Sequence, residues 1–196
     1  MKDSKGFSLI ELVIVIVVIG VLAAAALPRF IQVTDEAKVA ALEGMAGGFA
    51  TAVLSARAQW EATGRPKNSA GTNQVNYDGT VFTLTSAESD GSERDGYPFA
   101  LENGITDVSS VTATECQQML ENLLQNPPRS TRNSSDLASG NYRYFVSKDI
   151  EGGTPRCLYY QLASKTVGEN SGSSSATNGH YFSYRPAIGR IEVHLN

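Results

Sequence analysis

The sequence predicts an α+β protein: a long N-terminal α-helix, hydrophobic in its first half and amphipathic in its second, packed on an antiparallel β-sheet. Three observations carry that expectation. An uncharged run, LVIVIVVIGVLAAAAL, extends from Leu12 to Leu27. Beyond it, Leu42, Met45, Phe49, Val53, Ala56 and Trp60 recur at spacings of three and four, the period of one helix face. After Thr63 the apolar residues fall into short runs separated by Gly, Ser, Asn and Pro, the pattern of strands and turns. The 196 residues suffice for one domain with a core plus an appendage. An average of 41% apolar and 18% charged residues therefore hides two environments, lipid-like at the start and aqueous afterwards.

The first element begins after Met1–Gly6, which carries Lys2 and Lys5. From Phe7 to Leu27 every position is apolar or small except Glu11. At about 1.5 Å per residue, a helix of that length matches a bilayer core of roughly 30 Å. Three readings compete. A secretory signal peptide could use Ala23–Ala26 as a small-residue cleavage site, but Glu11 sits oddly at the front of its apolar core. A plain membrane anchor would keep Lys2 and Lys5 in the cytoplasm. The third reading is cleavage on the cytoplasmic side after Gly6, which retains the apolar run.

The chemistry favours the third. A carboxylate near the start of a membrane segment costs a few kcal/mol unless it is paired. Cleavage after Gly6 creates an ammonium on Phe7, and Glu11 of one subunit can meet the Phe7 ammonium of a neighbour. That pair neutralises both charges in an apolar bundle and fixes axial register. Taken alone, Glu11 fits equally well a side chain that snorkels to the headgroups. The Gly6–Phe7 junction and the apolar run favour the pairing.

Lys5-Gly6-Phe7-Ser8-Leu9-Ile10-Glu11-Leu12 resembles the prepilin signature of type IV pilins and of the related type II secretion pseudopilins. The resemblance implies the type IV pilin fold, a prepilin peptidase that cuts after Gly6 and methylates the Phe7 amine, and an assembly role for Glu11. The short leader with two lysines is similar to the class-a type. The implied partners are identical or related pilin subunits in a helical filament, the prepilin peptidase, the inner-membrane assembly machinery, and lipid before assembly. The implied location is the inner membrane of a Gram-negative bacterium, then an extracellular pilus. The expected division is a cleaved leader over 1–6, a transmembrane and filament-core helix over 7–29, an amphipathic helix half over 30–62, and a β-rich head over 63–196.

Pro28 removes a backbone donor and disfavours helix before it, so a kink is expected there. Gly20 and Pro28 bracket a weak stretch, and the resemblance implies that this stretch loses regular hydrogen bonds in a filament. The stripe from Leu42 to Trp60 is read as packing on the protein's own sheet. Gly44, Gly47 and Gly48 fit close helix packing and local flexibility equally. Thr63-Gly64-Arg65-Pro66 ends the helix. Gln74 to Thr85 holds Asp78-Gly79 between two alternating runs, a hairpin signal. Thr114 to Gln125 reads as a helix stopped by Pro127-Pro128, with Met119, Leu120, Leu123 and Leu124 on one side. Tyr142–Ser147, Cys157–Ala163, His180–Tyr184 and Ile188–Leu195 read as strands, and Gly168–Gly179 as a loop.

Two cysteines in an exported chain, Cys116 and Cys157, are most simply read as one disulfide. Joining them closes a 40-residue loop and stabilises by about 3 to 4 kcal/mol on a chain-entropy account. By the pilin resemblance such a bond bounds an exposed region, here Pro127 to Pro155 across the 116–157 span. Major pseudopilins commonly lack it, so the pair favours a pilus. Leu27-Pro28-Arg29-Phe30, Glu43–Ala50 and Cys116–Pro128 resemble the mannose-sensitive haemagglutinin (MSHA) pilin group. Arg57–Glu61 with Gly64-Arg65-Pro66 is similar to the B-type pilins of that system. The resemblance implies adhesion and surface attachment.

Other function classes find little support. A net charge of −4 with no basic run argues against nucleic-acid binding. No serine stands in a Gly-x-Ser-x-Gly elbow, and His180 and His194 sit on expected strands. No catalytic site and no cofactor are expected. Asp90, Glu93 and Asp95, with Asp78 elsewhere, could bind calcium as in pseudopilins, but a solvated loop is the favoured reading. A membrane-anchored periplasmic binding module is the alternative from another class.

Overall fold

The computed structural model describes residues 7–164 and 178–196. The expected loop over Gly168–Gly179 lies almost entirely outside them. Helix α1 runs from Leu9 to Ala62 and is helical without a break through Gly20 and Pro28. The chain divides into two units, one ending at Lys38 and one running from Val39 to Asn196.

In the first unit no described residue is buried. Phe7 is 88% exposed, and every Val, Ile and Leu from Leu9 to Leu27 is at least 40% exposed. The pattern explains this. From Leu12 to Leu27 the side chains are apolar or small all round, so this stretch has no polar face to turn outward and no one side is singled out for packing.

In the second unit α1 is amphipathic, and one face is buried: Leu42, Ala46, Phe49, Ala52, Val53, Ala56 and Trp60. Met45, expected on the stripe, is only partly buried against this core. Phe49 sits at the centre, with ring centroids 5.5, 5.7 and 5.3 Å from Tyr159, Phe182 and Tyr184. The helix ends where expected. Gly64 and Arg65 adopt positive φ, and the Arg65 amide donates to the Trp60 carbonyl at 2.9 Å, a left-handed cap of the usual kind.

Two sheets follow rather than one. The first is antiparallel, in the order β1 (Gln74–Tyr77), β2 (Thr80–Leu84), β3 (Pro98–Leu101). Asp78 and Gly79 join β1 to β2, both at positive φ, as a two-residue hairpin with the strands' own twist requires. Helix α2 spans Ala113–Leu123 and opens with a capping box between Thr112 and Glu115. It stops two residues short of the expected Gln125, because Leu124 is already extended.

The second sheet has the order β4 (Ser130–Thr131), β5 (Tyr144–Glu151), β6 (Thr154–Gln161), β7 (Tyr181–Arg185), β8 (Arg190–His194). Its β4–β5 pair is parallel and the rest antiparallel. On its outer face Arg156 pairs with Asp149 and Glu151, both at 2.6 Å, and Arg185 pairs with Glu151. The hydrogen bond from Arg185 holds the Glu151 carboxyl below the usual carboxylate range. Two turns show where glycine is required. A Cβ on Gly189, at φ 69°, would lie 1.9 Å from the Tyr97 ring, and one on Gly96 would lie 2.7 Å from the Trp60 ring.

Candidate functional site

The strongest candidate is the N-terminal end of α1. Of the residues read as functional there, Gly6 lies outside the described residues. Phe7 precedes the helix and Glu11 lies in its first turn. The Ser8 amide donates to Glu11 Oε2 at 2.9 Å, and the Glu11 amide donates to Ser8 Oγ at 3.3 Å. This reciprocal pair is a capping box, which satisfies two amides that a helix start otherwise leaves unpaired. Among the described residues no cation pairs with Glu11. Ser8 is a functional residue absent from the sequence expectations, and its one signal is Ser-x-x-Glu directly before an apolar run, a helix-start signature.

Helix α1 is the one described helix long and apolar enough to cross a membrane by length and composition, and its most apolar 18 residues have a mean hydropathy of 3.0 with none of them buried. Gly20 has no atom within 4 Å of where a Cβ would stand. Pro28 lacks the amide that would bond the carbonyl four residues earlier, so Ala24 is left without its helical donor. The same exposure recurs on the far side of the boundary. Gly44, Gly47 and Gly48 are exposed, and a Cβ on any of them would meet nothing within 4 Å. Packing within the chain therefore does not require these glycines.

The two cysteines form the expected disulfide. Cys116 on α2 and Cys157 on β6 are joined with Cα atoms 5.4 Å apart, and both are fully buried. Buried sulfurs give no access to an incoming thiolate, which fits a structural bond and not an exchanging one. The Tyr159 hydroxyl, two residues along the strand, donates to the Cys116 carbonyl at 2.8 Å. Burial pushes that phenol well above its ordinary range. The region from Pro127 to Pro155 is not uniformly exposed in the subunit. Arg132–Ser135 are exposed, whereas Ser130, Thr131, Tyr144, Val146 and Pro155 are buried, because β4, β5 and the start of β6 belong to the sheet.

The acidic loop divides. Asp90 and Glu93 line a cleft of about 440 Å³ together with Glu88 and Asp107. Burial, and then the charges of Glu88, Asp107 and Asp90, push the Glu93 carboxyl up. Hydrogen bonds from Ser92 hold Asp90 down. Asp95 instead accepts from the Ala87 amide at 2.7 Å, and Asp78 stays in the β1–β2 turn. Among the described residues no three His, Cys, Asp or Glu side chains are placed to hold a metal ion. His194 hydrogen-bonds Ser183 at 3.1 Å and stacks on Tyr181, and His180 Nδ1 accepts from the Asn196 amide. His194 closes β8, whereas His180 stands just before β7, outside the strand expected to begin there.

A helix that begins with a capped carboxylate and continues as an uncharged, uncovered apolar run is long and apolar enough to span a membrane. Residues 1–27 match the family description "Prokaryotic N-terminal methylation motif". Over 56 residues the chain is 48% identical to the type IV narrow pilus major component PilA5 of Thermus thermophilus. That match covers 29% of this chain and 48% of PilA5, so the chain spans about half the length of the curated relative it matches. No solved structure matches. Motif and relative together support a type IV pilin, and the motif and the apolar helix fit membrane anchoring.

Proposed function

We propose that the chain is a structural subunit of a type IV pilus. It is cut after Gly6 by a prepilin peptidase, methylated at Phe7, held by residues 7–29 in the inner membrane of a Gram-negative cell, and then assembled through that helix into a surface filament. The observation that carries this reading is the uncovered apolar run with Glu11 in its first turn. Such a surface is stable only in lipid or in a bundle of its own kind. Glu11 pairs with the Phe7 ammonium of a neighbour and sets axial register. Gly20 and Pro28 bracket the stretch that yields when the filament is loaded. Residues 30–62 carry the head, residues 63–196, and the disulfide-bounded region 116–157 contributes to the filament surface. The finer reading is an MSHA-like pilin of the B type that serves surface attachment. It rests on the sequence resemblance of Leu27–Phe30, Glu43–Ala50, Arg57–Glu61 with Gly64–Pro66, and Cys116–Pro128.

Mass spectrometry of filaments sheared from the producing cell tests the reading, with Glu11→Ala as its partner variant. The expected outcome is an abundant chain starting at N-methylated Phe7, and loss of filaments from Glu11→Ala with the membrane pool retained. A chain that starts at Phe7 but stays in the membrane, or is only a trace in the filaments, would point to a secretion pseudopilin or a minor pilin. Retention of Met1, or normal filaments from Glu11→Ala, would point to a membrane-anchored module.

A further inference from the structure

Glu11 faces a difficulty before any neighbour is present. A subunit waiting in the membrane holds this carboxylate at the edge of an apolar segment, where an unpaired charge is costly. The structure shows a local partner. The Ser8 amide donates to Oε2, and Ser8 Oγ accepts from the Glu11 amide. Glu11 also lies in the first turn of α1, where the partial positive charge of the free amides favours an anion. Oε1 has no partner among the described residues. The carboxylate is thus held at one oxygen and open at the other.

We propose that Ser8 is the positioning residue for Glu11, resting on the reading that Glu11 serves assembly. Its capping box holds the carboxylate against its own helix end, partly satisfied while the subunit is in lipid, with Oε1 presented to the ammonium of an incoming subunit. Docking then adds a bond at the free oxygen and breaks none. The arrangement does not depend on the leader, because both amides belong to residues downstream of the Gly6–Phe7 junction.

Two measurements on the full, processed chain test this. The first is amide hydrogen exchange in detergent micelles. Ser8→Ala is expected to lower the protection of the Glu11 amide about fivefold, and Glu11→Ala to lower that of the Ser8 amide similarly, the size of one lost N-cap contact. Unchanged protection in both variants overturns the capping box. The second is the share of chain found in sheared filaments relative to the membrane pool that starts at Phe7. This share is expected to fall about fivefold in Ser8→Ala and to return in Ser8→Thr, which keeps the acceptor oxygen. Failure of Ser8 alone is recognisable as a defective Glu11→Ala beside a Ser8→Ala that assembles normally, or as a Thr variant that does not rescue. Normal filaments from Glu11→Ala overturn the underlying assembly reading instead.

Discussion

The two halves of α1 are both rich in apolar residues and have opposite fates. In Leu9–Leu27 the large apolar side chains are uncovered, whereas from Leu42 to Trp60 the apolar stripe is nearly all buried. What separates them is where charged residues stand. Asp35, Glu36, Lys38 and Glu43 give the second half a wet side, so its apolar side chains share one face that a sheet can cover. The first half has no wet side, and its only charge, Glu11, sits in the first turn. A helix with one apolar stripe finds its partner within the chain, and a helix apolar all round requires lipid or other helices. The difference teaches that a polar side decides whether an apolar helix finds its cover inside its own chain.

The largest effect is expected from truncating the centre of the buried stripe. Phe49 is fully buried and touches three aromatic rings. Phe49→Ala should destabilise the head by about 3 to 5 kcal/mol, the cost of removing a buried aromatic side chain and leaving a cavity. Ile16→Ala, 58% exposed in the other half, should leave the melting temperature unchanged and lower only filament yield. Near-UV circular dichroism melts of the full chain in detergent would read both. Equal melting shifts would erase the distinction between the halves.

How far the sequence revealed this can be argued from particular residues. The helix stripe, the Asp78-Gly79 hairpin and the Cys116–Cys157 bond were legible because each rests on a local rule: a period of 3.6, two adjacent positive φ angles, and a single possible pairing. Strand β3 was missed, since Pro-Phe-Ala-Leu shows no alternation and opens with a proline. Its place at a sheet edge tolerates that proline. Strand β4 was missed because two polar residues carry no apolar signal, and its parallel pairing with β5 depends on contacts distant in sequence. Strand β5 was expected to stop at Ser147 but continues to Glu151. Charged residues mark no strand by hydropathy, yet here Asp149 and Glu151 are paired across the sheet with Arg156 and Arg185. Ser8 is legible through Ser-x-x-Glu, a local signature, because its partner Glu11 is only three residues away.

The disulfide sharpens the comparison at a slightly smaller scale. Cys116→Ser should cost the head about 3 to 4 kcal/mol by releasing a long loop in the unfolded chain. It should leave insertion of the first half untouched, because no bond of that half depends on it. The expected result is a normal membrane-inserted fraction with a lowered melting temperature and a reduced surface level. An unchanged melting temperature, with an unchanged surface level, would remove the structural role of the bond.

The smallest effect probes whether the division between the halves is complete. The second half has a second face, on which Gly44, Gly47 and Gly48 are exposed with open space around them. Glycine in a helix interior is destabilising relative to alanine by about 0.5 to 1 kcal/mol, because its backbone loses more freedom on folding. Gly48 is helical and an added Cβ would clash with nothing, so Gly48→Ala should stabilise the isolated subunit by that amount and raise its melting temperature. If this face only meets water, filament yield should rise or stay level with stability. If a neighbouring helix lies against it, the added methyl separates the two backbones and yield should fall while stability rises. Opposite movement of the two readouts would show that the second half folds with one face and assembles with the other. Parallel movement would confine assembly through α1 to the uncovered run before Pro28.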